Sequence, residues 1–175
     1  MENDKLSPTS LAFIALTNEY CQLVENAASS DRGGFVEAML KLLPRIYITA
    51  TDIEPSIDYY GAPITQALDE ENYNYVRSNI AYITGEDDVY LEVFLDDMKY
   101  SDMPIATSIS ENLADLYQEF YNLVAAVKDL NTDDQRQLIA ACRENFAEYW
   151  GMTLCNVLRA LHAVSVKDRD FLGSY

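Results

Sequence analysis

The sequence predicts an all-α protein, an antiparallel bundle of about five main helices, and three observations carry that prediction. Apolar residues recur every three to four positions through most of the chain. Ser108-Ile-Ser-Glu111 and Thr132-Asp-Asp-Gln135 each have the form of a capping box, in which two side chains satisfy otherwise orphaned helix N–H groups. The connections between the periodic stretches are short, which favours antiparallel neighbours. With 175 residues, 49% of them hydrophobic and 23% charged, the chain fits one helical domain spanning 1–175, with an ordered core about 8–165.

Ser7-Pro8 opens the first helix, with proline in the first turn, where its missing N–H costs nothing. This helix runs to about Ala28 and carries two apolar stripes, Leu11/Ile14/Cys21/Val24 and Phe13/Leu16/Tyr20/Leu23. The second carries Phe35, Val36, Met39, Leu40, Leu43, Ile46, Tyr47 and Ala50, and Pro44 within it predicts a kink or break. Residues 52–63 are irregular. A third helix is expected over 64–84, buried through Leu68, Tyr75, Val76, Asn79, Ile80 and Ile83, and stopped by Gly85. The segment around 86–106 is irregular, and Val89–Phe94 within it fits a short helix or an extended stretch equally well. The fourth helix follows Ser108, and a long last helix runs from Thr132 through Trp150 to Leu161.

Charge is the most distinctive property. The net charge is −17, and residues 46–98 hold twelve carboxylates against one base, Arg77. Nucleic acid and anionic lipid are poor direct partners for such a surface. No apolar run approaches the ~20 residues that span a bilayer, and the N-terminal residues lack the pattern of a secretion signal, so a cytoplasmic location is expected. Three cysteines, Cys21, Cys142 and Cys155, each fall in an apolar helical pattern and read as buried free thiols.

Most catalytic constellations are excluded. One histidine cannot supply the paired Glu-x-x-His motifs of di-iron bundles, and no Cys-x-x-Cys pair, phosphate-binding loop or nucleophile elbow is present. Cys155 and His162 share a helix face but stand about 10 Å apart along the axis, too far for a hydrogen bond. Carboxylates at helical spacing are the remaining metal or acid–base candidates: Glu111, Asp115 and Glu119 on the fourth helix, and Glu144 and Glu148 on the last. A solvated polar face explains them as well, and no cofactor is called for.

An ordered series of short motifs runs through the chain: Glu19-Tyr-Cys-Gln-Leu, Leu42-Leu-Pro-Arg-Ile-Tyr47, Tyr90-Leu-Glu-Val-Phe94, Leu113-Ala-Asp-Leu-Tyr117, Tyr149-Trp-Gly and Leu158-Arg-Ala-Leu-His162. In this order they resemble a bacterial family known as domain of unknown function 5063, over roughly Leu11 to His162. The resemblance implies a small helical domain and brings no catalytic residues with it.

Tyrosine supplies the remaining signal. Of 13 tyrosines, Tyr59, Tyr60, Tyr73, Tyr75, Tyr82, Tyr90 and Tyr100 fall in or beside the acidic third. Tyrosine offers large rigid area with a polar tip and is enriched at recognition surfaces. The sequence therefore favours a non-enzymatic interaction module that presents an acidic, tyrosine-rich surface to a basic protein partner. Its candidate contacts are Asp58, Tyr59, Tyr60, Glu70, Glu71, Tyr73, Glu86, Asp87, Asp88, Tyr90, Asp96 and Asp97. The alternative is a carboxylate-based, metal-dependent enzyme with Asp115, Glu119, Glu144 and Glu148 between the last two helices. Nothing in the sequence sets an oligomeric state.

Overall fold

A computed structural model describes residues 5–55, 60–61, 64–92 and 104–172. Six helices occupy most of them: α1 (Pro8–Glu25), α2 (Arg32–Thr51), α3 (Glu70–Thr84), α4 (Ile109–Val127), α5 (Thr132–Asn145) and α6 (Gly151–Leu172). A π-helical turn, Phe146–Trp150, joins α5 to α6. The long last helix of the sequence prediction is therefore present as one helical run with a widened turn inside it. Two short strands, β1 (Val89–Glu92) and β2 (Ile105–Ser108), pair antiparallel with Val89 opposite Ser108 and Leu91 opposite Ala106. They resolve the ambiguity at Val89 in favour of the extended form.

Helix α4 is the hub. It packs against α1, α3 and α6, while α2 lies against α1 and α6. Its inward stripe Leu113, Leu116, Phe120 and Leu123 is fully buried. Around it Trp150 stacks on Phe13 at 6.2 Å and meets Phe120 edge-on at 5.1 Å, which concentrates the aromatic part of the core at the π-turn. The buried Tyr20 phenol donates to the Leu113 carbonyl at 2.7 Å, and the Trp150 indole donates to the Cys142 carbonyl at 3.0 Å, so neither polar tip is stranded.

Several boundaries differ from the sequence expectation, each for a local reason. Helix α2 continues through Pro44, so of the kink or break expected there the break does not occur, because Leu42, Leu43 and Ile46 on either side are buried and tertiary packing outweighs one lost backbone bond. Helix α3 begins at Glu70, six residues later than expected. Asp69 caps it by accepting from the Asn72 amide at 2.7 Å, and Asn122 on α4 takes the amides of Ala67 and Leu68 at 2.8 and 3.0 Å, holding that stretch out of the helix. Helix α5 is capped by Asn131, one residue before the predicted Thr132, through the amides of Asp133 and Asp134. The α4 cap is as expected, with the Ser108 hydroxyl accepting from the Glu111 amide at 3.1 Å. Leu11 and Cys155, both expected inside, are exposed, while Cys21 and Cys142 are buried free thiols.

Candidate functional site

Helix α3 has one inward face and one outward face. Val76, Ile80 and Thr84 are buried, and Tyr73 and Ile83 pack half-buried against the core. The opposite face carries Glu71, Tyr75, Ser78 and Tyr82 at spacings of four, three and four residues, and Glu86 follows in sequence beyond Gly85, past the helix end. All five are exposed, Tyr75 at 56% and Tyr82 at 88%. Among the described residues, neither of these phenols has a hydrogen-bond partner. Asp69, Glu70 and Tyr60 are also exposed, and the helix has a single base, Arg77.

The sequence candidates divide. Tyr60, Glu70, Glu71 and Glu86 stand in solvent. Asp87 and Asp88 are engaged inside the structure. The Arg32 guanidinium donates to Asp87 at 2.6 Å, to Asp168 at 3.0 Å and to the Thr84 carbonyl at 2.6 Å, and Lys167 donates to the second Asp87 oxygen at 2.6 Å. These two bases hold the Asp87 carboxyl below its ordinary range. Asp88 secures the start of α4. It accepts from the Ser110 amide at 2.9 Å, the Ser110 hydroxyl at 2.7 Å and the Thr84 hydroxyl at 2.8 Å. Tyr90 turns inward and donates to Asn112 at 2.7 Å, and burial raises its phenol. Asp58, Tyr59, Asp96 and Asp97 lie outside the described residues. Conversely Tyr75, expected in the core, is a surface residue. The polar positions 71 and 78 on the same face were the available signal for that orientation.

Asp115 forms a second cluster. Its carboxylate accepts from the Tyr73 phenol of α3 at 2.7 Å and from the Tyr149 phenol of the π-turn at 3.3 Å, so it ties three elements together. Burial and the neighbouring carboxylate push the Tyr149 phenol up to about 12. One turn along α4, the Glu119 carboxylate accepts from Asn145 at 3.2 Å. Partial burial raises its carboxyl, the Asn145 bond works against that, and Asp115 adds to it. Glu144 pairs instead with Arg143 at 3.2 Å, and Glu148 is exposed. The four metal candidates thus do not converge, and among the described residues no group of three or more His, Cys, Asp or Glu side chains is placed to hold an ion. A carboxylate already accepting from two phenols is a structural tie. His162 lines a groove of about 500 Å³ between α2 and α6, with Val36, Leu40, Ser165 and Arg169. No helix among the described residues is long and apolar enough to cross a membrane.

Fold and site together define a helical bundle braced by a two-stranded sheet, with an acidic aromatic stripe on α3. The chain belongs to the family described as Domain of unknown function (DUF5063), whose sequence model matches residues 4–167. Among solved structures it is similar to protein BF1032 from Bacteroides fragilis, a structural genomics target. The two are 32% identical with a TM-score of 0.78, over 90% of this chain and 92% of that one. No curated protein matches it.

Proposed function

We propose that this protein is a non-catalytic interaction module that binds a basic protein partner through the exposed face of α3. The observation that carries the reading is the exposed α3 stripe Glu71–Tyr75–Ser78–Tyr82, in which two solvated tyrosines follow a carboxylate, with Glu70 and Glu86 also exposed close by in sequence. The tyrosines supply desolvatable area and phenol hydroxyls, and the carboxylates supply attraction for a cationic partner. Free Glu70, Glu71 and Glu86 steer such a partner within a Debye length of about 8 Å at physiological salt. The same negative field disfavours nucleic acid and anionic membranes as direct ligands.

The test is affinity capture on the immobilised protein, followed by titration of the recovered partner at low and high ionic strength. A basic protein is expected, with affinity reduced at least tenfold by Glu70→Lys/Glu71→Lys and by Tyr75→Ser/Tyr82→Ser. Binding that ignores both double variants and is insensitive to salt would refute the assignment.

A further inference from the structure

We infer that the outer edge of β1 is a self-association surface, on which a second copy of this chain adds its own β1. The Ile109 amide donates to the Asp88 carbonyl at 2.8 Å, so the backbone groups of Asp88 face the β2 side. In an antiparallel ladder successive residues alternate sides. Tyr90 and Glu92 therefore face β2 as well, while the N–H and C=O groups of Val89 and Leu91 face outward. Arg159 of α6 confirms the direction independently, since it reaches the Leu91 carbonyl from that side at 2.9 Å. Among the described residues the other three outward groups have no partner. Val89 is 64% and Leu91 55% exposed, and Ala106, opposite Leu91, is exposed on the same face. A groove of about 390 Å³ runs along this edge, floored by Ile109, Ala160, Ala163 and Val164, whose modest side chains leave room for a strand.

Self-complementarity and charge identify the occupant. A two-fold axis at Tyr90 sets Val89 opposite the partner's Leu91, so that two donors and two acceptors on each copy form four backbone bonds and convert two isolated sheets into one of four strands. A chain with net charge −17 repels its copies over most of its surface. Beside this edge, however, Asp87 is matched by Arg32 and Lys167, Asp168 by Arg32, and Glu92 accepts from Asn156 at 2.6 Å. Added salt screens the net repulsion and strengthens this association, the reverse of its effect on a basic partner at α3.

Sedimentation equilibrium over a concentration series, at low and high salt, tests the inference alongside amide exchange at each concentration. The mass is expected to rise from 19.8 kDa towards twice that value. The Val89 and Leu91 amides should slow about tenfold on association, while those of Tyr90 and Glu92 stay as they are. Leu91→Glu should move the association to at least tenfold higher concentration. If this variant loses the Tyr90 and Glu92 protection, the sheet itself has opened, and exchange in the wild type decides. A 19.8 kDa species throughout overturns the inference, as does a dimer in which Val89 and Leu91 exchange unchanged.

Discussion

The acidic third contains two neighbouring regions that look alike by composition and behave differently. In α3, Glu70 and Glu71 point into water beside exposed tyrosines. Immediately after Gly85, whose positive φ of 58° turns the chain, Asp87 and Asp88 fold back onto the bundle. There they meet a guanidinium, an ammonium and the start of α4. The difference teaches that a carboxylate count measures a field only after the structural carboxylates are subtracted. In this molecule Asp87 and Asp88 are structural, and Glu86 and the carboxylates on the outward helix face remain available.

The largest test of that division is Asp88→Ala. It takes the acceptor from the Ser110 amide and one partner each from the buried Thr84 and Ser110 hydroxyls, which keep the Ile80 carbonyl and the Ser108 hydroxyl, and an unmet buried group costs about 1–3 kcal/mol. A loss of about 2 kcal/mol in denaturant unfolding is expected, against under about 0.5 kcal/mol for Glu71→Ala on the solvated face. Equal losses at the two positions would erase the distinction. A smaller effect is expected of Arg32→Lys, which keeps the charge but cannot reach Thr84, Asp87 and Asp168 together as the planar fork does. About 1 kcal/mol should be lost, because the site is part exposed, and the same denaturation measurement reads it.

Acid separates the two kinds of carboxylate by sign. The folded Asp87 carboxyl is lowered from its ordinary 3.8 by Lys167 and Arg32. Its stabilising contribution is present in full above that ordinary value and disappears as pH falls through the lower folded one. Lys167→Met should therefore flatten the fall of Tm below about pH 4. Glu119 is raised from its ordinary 4.5, chiefly by desolvation, so the folded protein binds that proton more readily than the unfolded chain. Its charged form opposes folding above the raised value, and this penalty fades as pH falls through it towards 4.5. Glu119→Gln should consequently raise Tm slightly at neutral pH and not in acid. A variant that lowered Tm at neutral pH would mean that the bond from Asn145 outweighs desolvation.

The helices and most of the core were legible because their signal is periodic and local: the Ser108 cap, the Leu113/Leu116/Phe120 stripe and the stop at Gly85 each sit where the sequence places them. What was not legible depends on partners distant in sequence. Asn122 decides where α3 begins, across 54 and 55 residues, and Arg32 claims Asp87 across 55. The π-turn has a packing cause of the same kind. Trp150 must reach the Phe13/Phe120 cluster, and a Cβ on Gly151 would lie 2.6 Å from the Phe146 carbonyl oxygen, a clash that glycine avoids. At the site, Tyr73 and Tyr90 were singled out with the solvated carboxylates, yet each donates its hydroxyl inward, to Asp115 and Asn112. Residue type identified the aromatic population, and only the helix face sorted its members.

That sorting yields the smallest stability effect expected here and the sharpest functional one. Tyr75 and Tyr82 cover little of the core and have no hydrogen-bond partner among the described residues, so Tyr75→Ala/Tyr82→Ala should change unfolding free energy by no more than about 0.5 kcal/mol per site. Exposed aromatics that anchor a partner commonly contribute more than 1 kcal/mol each to binding, so the same double variant should weaken a basic partner by tenfold or more. Tyr73→Phe is the matched control from the inward set. It removes the short bond to Asp115 and should cost about 1–2 kcal/mol of stability while leaving partner affinity unchanged. If Tyr73→Phe weakened binding as much as the surface pair did, α3 would be acting as one unit. The division between structural and solvated side chains would then have to be drawn by helix and not by face.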